Sequence, residues 1–207
     1  MTVTEVRRQR RHLYTLVIDG EPAVDVDVSV WDESPYKAGC TLTDEQLHAL
    51  LTASQERRAK DKALYLLSLR DYARGELEKK LCADVPPEIA AQTAARMEEL
   101  GLVNDAAYAR RLAQDLRLRR QFPYRRAVQE LCSRGIAREI AEEAAGEVET
   151  DEVQQALALL RKKRYNTSCD ADDRRRIAAA LGRAGFSYDV IRRAMEAFAE
   201  QETAEDE

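Results

Sequence analysis

Apolar and polar residues alternate one by one in a single stretch near the start of the chain. In "LYTLVIDGEPAVDVDVSVW", Val24, Val26, Val28 and Val30 alternate with Asp25, Asp27 and Ser29. That is the period of two of a half-buried strand, and it places all four valines on one face. Asp19-Gly20 has the residue types of a tight hairpin turn back to "HLYTLVI". Two strands alone are only marginally stable, so a further strand, with "YKAGCTL" as the candidate, and a helix are expected to cover the valines. Thr43, followed three residues on by Gln46, reads as a capping box opening a helix that buries Leu47, Leu50 and Leu51.

After about residue 55 the alternation does not return, and the chain reads as successive helices that repeat. Leu81, Leu131 and Leu181 recur at an even spacing of fifty residues, with Leu77, Ala127 with Val128, and Ile177 about one turn before them. Each is followed by a short break and a second apolar anchor, in "LCADVPPEI", "LCSRGIAREI" and "LGRAGFSYDVI". Three copies of one helical unit account for this, because such a unit buries its apolar face partly against its neighbours. In the first copy "DKALYLLSLRDY", "RGELEKKL" and "PPEIAAQTAARMEEL" supply three helices; the paired prolines start the last, Gly101 stops it, and Ile89, Thr93, Met97 and Leu100 share its inner face. Asn104 or Asp105 caps the next helix, whose core stripe reads Tyr108, Leu112 and Leu116. The predicted fold class is mainly α: three tandem three-helix repeats in an elongated array, after a small N-terminal β-hairpin-containing segment. The expected boundaries are a β/α module over 1–58, repeats over 59–105, 106–150 and 151–200, and an acidic tail over 201–207.

Composition narrows the function classes. Only 8 Gly and 5 Pro among 207 residues, with 34% charged and 44% hydrophobic, fit an ordered, helix-rich chain with few long loops. The first residues lack the apolar core of a signal peptide, and no run approaches the ~20 apolar residues of a membrane span. A cytoplasmic protein with no membrane partner is therefore expected. Cys40, Cys82, Cys132 and Cys169 form no CxxC pair and no cluster of metal-ligand spacing, so buried free thiols are expected and no metal site is. There is no phosphate loop, HExxH or GxSxG, and His12 and His48 lie far apart, so neither a cofactor nor catalysis is expected.

Charge changes the picture most. The chain carries a formal net charge of −5, yet "RRLAQDLRLRRQFPYRR" (Arg110 to Arg126) holds seven arginines and one acidic residue. Arg110 and Arg117, seven apart, are predicted to share a helix face away from the Tyr108/Leu112/Leu116 stripe, with Arg119, Arg120, Arg125 and Arg126 crowding the following turn. Phe122 and Tyr124 lie among them. In the third copy, Arg161, Lys162, Lys163 and Arg164 and then Arg174, Arg175 and Arg176 flank the corresponding turn. The same edge of two copies is thus basic, a surface suited to carboxylate or phosphate.

Together these stretches resemble the RecX family, regulators of the bacterial recombinase RecA. "ALYLLSLRDYARGELEKKL", "LGLVNDAAYARRL" and "FPYRRAVQELCSRGIAREIAEEAA" are similar to its successive signatures in the family's order, and "LLRKKRYNTSCDADDRRRIAAALGRAGFSYDVIRRAME" to its third repeat. The family's pattern places a glycine in the turn before Arg125, where this chain reads "QFPYRR". The resemblance implies three-helix repeats, no enzymatic activity, and a monomer that binds along the groove of the RecA–DNA filament. There it would limit filament extension, ATP hydrolysis, strand exchange and co-protease activity in recombination and the DNA-damage (SOS) response. The expected contact residues for the filament, or for DNA directly, are Arg74, Arg110, Arg117, Arg119, Arg120, Tyr124, Arg125, Arg126, Arg161, Lys162, Lys163, Arg164, Arg174, Arg175 and Arg176. Two other classes fit the residues: a helix-turn-helix-like transcriptional regulator, against which no helix concentrates Arg, Asn and Gln for base readout, and a helical-repeat adaptor between proteins.

Overall fold

The structure is a computed structural model that describes residues 1–10, 12–162 and 171–205. By its internal contacts the chain divides into two compact units, Met1–Val103 and Asn104–Glu207.

The first unit opens with an antiparallel three-stranded sheet in the order β1 (Val3–Arg10), β2 (Leu13–Ile18), β3 (Glu21–Asp27). The β2–β3 hairpin closes at Asp19 and Gly20, both left-handed with φ of 50° and 94°, as a turn matching the strand twist requires. Val6, Leu16 and Val24 lie across the sheet in one register row, and Tyr14 and Val26 continue that face. They pack with Trp31, Leu42 and Leu50 in one apolar cluster.

Two expectations fail here. The third strand is "VTEVRRQR" at the chain start, while residues 39–41 form no strand and contribute an isolated bridge, Thr2 to Thr41, with bonds from the Val3 N–H to the Cys40 carbonyl and from the Gly39 N–H to the Val3 carbonyl. The valine alternation also ends early, because Val28–Glu33 forms a short helix, α1. Asp27 caps it, its carboxylate accepting from the N–H groups of Ser29 and Val30. An N-cap of this kind contributes about 1 kcal/mol, and the turn it starts buries Trp31. Val28 and Val30 therefore leave the strand.

Helix α2 (Asp44–Leu69) begins at the Thr43/Gln46 capping box, with both reciprocal bonds present. Its first half covers the sheet, where the Asp27 N–H donates to the buried Ser54 hydroxyl at 2.8 Å. It runs without a break through residue 58 and packs its second half on α3 (Arg74–Leu81) and α4 (Pro87–Glu99). Buried Ala59 and Ala63 let these helices approach closely around Leu77, Leu81, Ile89 and Met97. Pro87 occupies the first position of α4 and Gly101, at φ 71°, follows its end. Leu100 is half exposed rather than internal, since it sits at the cap where the helical face ends.

In the second unit α5 (Asp105–Gln114) passes into a five-residue π-helical turn, Asp115–Arg119, followed by α6 (Tyr124–Ser133), α7 (Arg138–Gly146), α8 (Glu152–Lys162), α9 (Ala171–Ala184) and α10 (Tyr188–Glu205). Asn104, not Asp105, caps α5 by accepting from the Ala107 N–H. The fifty-residue anchors Leu81, Leu131 and Leu181 are all buried, each in the second helix of a three-helix set. Burying each such side chain contributes about 1.5–3 kcal/mol. The breaks after Leu131 and Leu181 each carry a left-handed glycine, Gly135 and Gly185, and a buried residue, Ile136 and Phe186, whose N–H returns to the leucine carbonyl. The protein is thus mostly helical, with a small N-terminal sheet and three-helix sets. The three described cysteines are free but not fully buried: Cys82 is exposed and Cys40 and Cys132 half-buried, while Cys169 lies outside the described residues.

Candidate partner-binding surface

Each three-helix set carries cations at the end of its first helix and the start of its second. In the first unit Arg70 ends α2 and Arg74 opens α3. Both are paired: Arg70 to Glu76 at 2.6 Å while stacking on Tyr72, and Arg74 to Glu98 at 3.0 Å.

In the second unit the sequence misplaces one arginine. Ala109 and Ala113 of α5 and Leu116 of the π-helical turn are fully buried, whereas Tyr108 and Leu112 are only half-buried. The core face is therefore centred on small residues beside the Tyr108/Leu112/Leu116 stripe, and it carries Arg117, four residues after Ala113, inward. The Arg117 side chain is 6% exposed and pairs with Glu152 of α8 at 2.8 Å. Its Nε donates to the Val148 carbonyl at 3.0 Å. The same Glu152 oxygen accepts from the Tyr124 backbone N–H at 2.7 Å, at the start of α6. Tyr124 in turn places its ring 5.8 Å from the Arg117 guanidinium and donates its hydroxyl to the Glu142 carbonyl. Arg117 and Tyr124 thus belong to an interior node joining α6, α8 and the π-helical turn, and the expectation of an exposed Arg117 is corrected. Arg110 is exposed but paired across to α7, with Glu147 at 3.2 Å and Glu143 at 3.7 Å.

Four arginines remain around the turn. Arg119 and Arg120 share Asp115, at 3.7 Å and 3.0 Å. Gln121 turns the chain with a left-handed φ of 55°, taking the conformation for which glycine is the usual residue. Pro123 then precedes α6, whose first turn contains no acidic residue but exposes Arg125 and Arg126. Neither makes an ion pair with a described carboxylate; Arg126 instead stacks on Phe122, 3.9 Å from the ring centroid. The N-terminus of a helix carries a partial positive charge, so each exposed cation there costs about 0.3–1 kcal/mol. The turn is positioned from the α9–α10 break, where Gly185 lies so close to Arg126 that an added Cβ would come within 2.7 Å of the Arg126 Cβ.

In the third set Arg161 and Lys162 end α8, and Arg174, Arg175 and Arg176 lie in the first turns of α9, all exposed. Arg175 and Arg176 pair with Asp172 and Asp173, at 3.4 Å and 3.3 Å, on their own helix. Lys163 and Arg164 lie outside the described residues.

Between the α5–α6 turn, α8 and the α9–α10 break is an open cleft of about 280 Å³. Arg120, Arg126 and Lys162 stand around it, Pro123, Leu159 and Phe186 supply apolar walls, and no described acidic residue lines it. The sequence shows its cations but not the cleft, because no local pattern places Leu159 of α8 beside Phe186 of the α9–α10 break. Also unexpected is "VTEVRRQR", whose Arg7, Arg8 and Arg10 are exposed on β1. The signal there is its arginine content, since the strand lacks a full apolar alternation.

Among the described residues no group of His, Cys, Asp and Glu is arranged to hold a metal ion, and no helix is long and apolar enough to cross a membrane. Three-helix sets with cations at equivalent turns define a helical-repeat protein that presents basic surface. Residues 59–97 match the first three-helix domain of RecX and residues 149–195 the third. Relatives named regulatory protein RecX include one from Chromohalobacter salexigens, 32% identical over 69% of this chain and 94% of its own length. Another, from Clostridioides difficile, is 26% identical over 93% of both chains. The crystal structure of RecX from Lactobacillus salivarius superposes with a TM-score of 0.60 at 26% identity, covering 71% of this chain and 98% of that one. The chain belongs to the RecX family of regulatory proteins.

Proposed function

We propose that this chain regulates RecA, chiefly as an inhibitor, by binding the RecA–DNA filament in the cytoplasm and limiting its extension, ATPase, strand exchange and co-protease activity. It acts by binding rather than by catalysis. Arg119, Arg120, Arg125 and Arg126 form the centre of the contact, with Arg161, Lys162, Arg174, Arg175 and Arg176 extending it across the third set. Arg117 supports this surface from inside. The observation that carries the reading is the placement of Arg125 and Arg126 in the first turn of α6 without any described carboxylate partner. Solubility alone would be served anywhere on the surface, whereas this position opposes the helix dipole and aims two forked donors at an acceptor outside the chain.

The test is RecA ATPase on single-stranded DNA, titrated with the parent chain and with Arg125→Ala/Arg126→Ala. The parent is expected to inhibit at substoichiometric ratios, and the variant to need at least about tenfold more protein, equivalent to about 1.4 kcal/mol. A parent without effect on RecA, or a variant equal to the parent, refutes the reading.

A further inference from the structure

The cleft beside the α5–α6 turn has a chemistry of its own. Its cations are not neutralised from within: Arg126 and Lys162 have no described carboxylate partner, and only Arg120 is engaged, with Asp115. Its walls are aliphatic or closed. The ring of Phe122 is already covered by the Arg126 guanidinium at 3.9 Å, and Phe186 is 5% exposed. The guanidinium occupies one face of Phe122 and Phe186 is buried, so the aromatic surface on which single-stranded nucleic acid would stack is small here. Gln155, which lines the same cleft, has a buried side-chain oxygen that receives no hydrogen bond from any described residue. An unsatisfied buried acceptor is unfavourable, and a donor from a bound segment would relieve it.

We infer that this cleft receives an acidic, extended segment of a partner protein. One aliphatic side chain of the segment seats against Ala158, Leu159 and Ala184, and flanking carboxylates meet Arg126 and Lys162. Guanidinium and ammonium groups around a half-enclosed apolar floor are complementary to such a segment in both charge and hydropathy. The inference rests on the RecA reading only in taking that segment to be presented by the filament protein; the cleft's preference for acidic peptide stands on its own residues.

The experiment uses the full chain and two labelled probes: a short peptide with a central leucine flanked by glutamates, and a poly-dT oligonucleotide. Affinities are measured by fluorescence anisotropy for the parent, for Arg126→Ala/Lys162→Ala, and for Arg183→Glu, an exposed site outside the cleft whose change in net charge equals that of the double variant. The double variant is expected to lose at least about tenfold in peptide affinity and less than about twofold in oligonucleotide affinity, with an unchanged circular dichroism spectrum, while Arg183→Glu keeps the parent's peptide affinity. Replacing the glutamates of the probe by glutamines is expected to abolish binding. Loss of oligonucleotide affinity with peptide affinity retained would make the cleft a nucleic-acid site and overturn the inference, as would a parent that binds the acidic probe no better than its glutamine version. RecA ATPase measured in parallel separates the two readings. Inhibition by a parent that does not bind the peptide overturns only the cleft assignment, and peptide binding without inhibition overturns only the RecA reading.

Discussion

Glu152→Ala is the perturbation that best tests the interior of the second unit. The Glu152 carboxylate does two jobs with one oxygen, pairing with Arg117 at 2.8 Å and accepting from the Tyr124 N–H at 2.7 Å. Its removal strands a guanidinium that is 6% exposed and keeps only the Val148 carbonyl as acceptor. Removing one partner of a buried ion pair costs about 3–5 kcal/mol, and loss of an acceptor at a helix N-terminus about 1 kcal/mol more. Glu152 is itself 15% exposed, so water can reach the vacated site and the total is expected at the low end, about 4 kcal/mol. Glu152→Gln keeps an acceptor for Tyr124 while discarding the charge, and should cost less. Pairing Glu152→Gln with Arg117→Met removes both charges, and the double variant is expected to recover at least about 1 kcal/mol relative to the sum of the singles. Urea unfolding followed by far-UV circular dichroism measures all four corners of the cycle. A loss below about 1 kcal/mol for Glu152→Ala, or a coupling below about 0.5 kcal/mol, would refute the node as a structural joint.

Other expectations concern the same turn and its supports. Gln121→Gly should stabilise the chain by up to about 1 kcal/mol in thermal or urea unfolding, because glycine adopts the φ of 55° without the Cβ clash. Gly185→Ala should destabilise it by about 2 kcal/mol or more, since φ is +102° and the new Cβ meets the Arg126 Cβ and, at 3.2 Å, the Arg126 backbone nitrogen; the same variant should weaken RecA inhibition by displacing Arg126. Arg125→Ala/Arg126→Ala should leave the midpoint of unfolding unchanged or raise it slightly, as two cations leave a helix N-terminus. A marked loss of stability there would mean that the two arginines serve the fold. Thr43→Ala should cost about 1 kcal/mol by opening the capping box of α2.

Much of the architecture is legible in the chain because it depends on local chemistry. The Thr43/Gln46 box, Asn104, the Pro86-Pro87 pair and the left-handed glycines each fix a helix end through bonds made within a few residues. The fifty-residue spacing of Leu81, Leu131 and Leu181 fixes the repeat because one face must be buried three times over. Family membership was legible for the same reason, in motifs that encode helix ends and inner faces.

What the tertiary structure decided concerns faces whose pattern is ambiguous. Alternating valines favour a strand through Val30, yet a cap by Asp27 and the burial of Trp31 turn the last of them into a helix, and strand β1 pairs despite lacking alternation because β2 offers it an edge. On α5, leucines and a tyrosine draw the eye to one stripe, but close helix packing prefers the alanines beside it. That rotation of the buried face carries Arg117 inside, where only the chain's return to Glu152, thirty-five residues on, makes its charge tolerable. Which arginines remain at the surface, and the cleft they surround, follow from that long-range pairing, and no local sequence pattern encodes it.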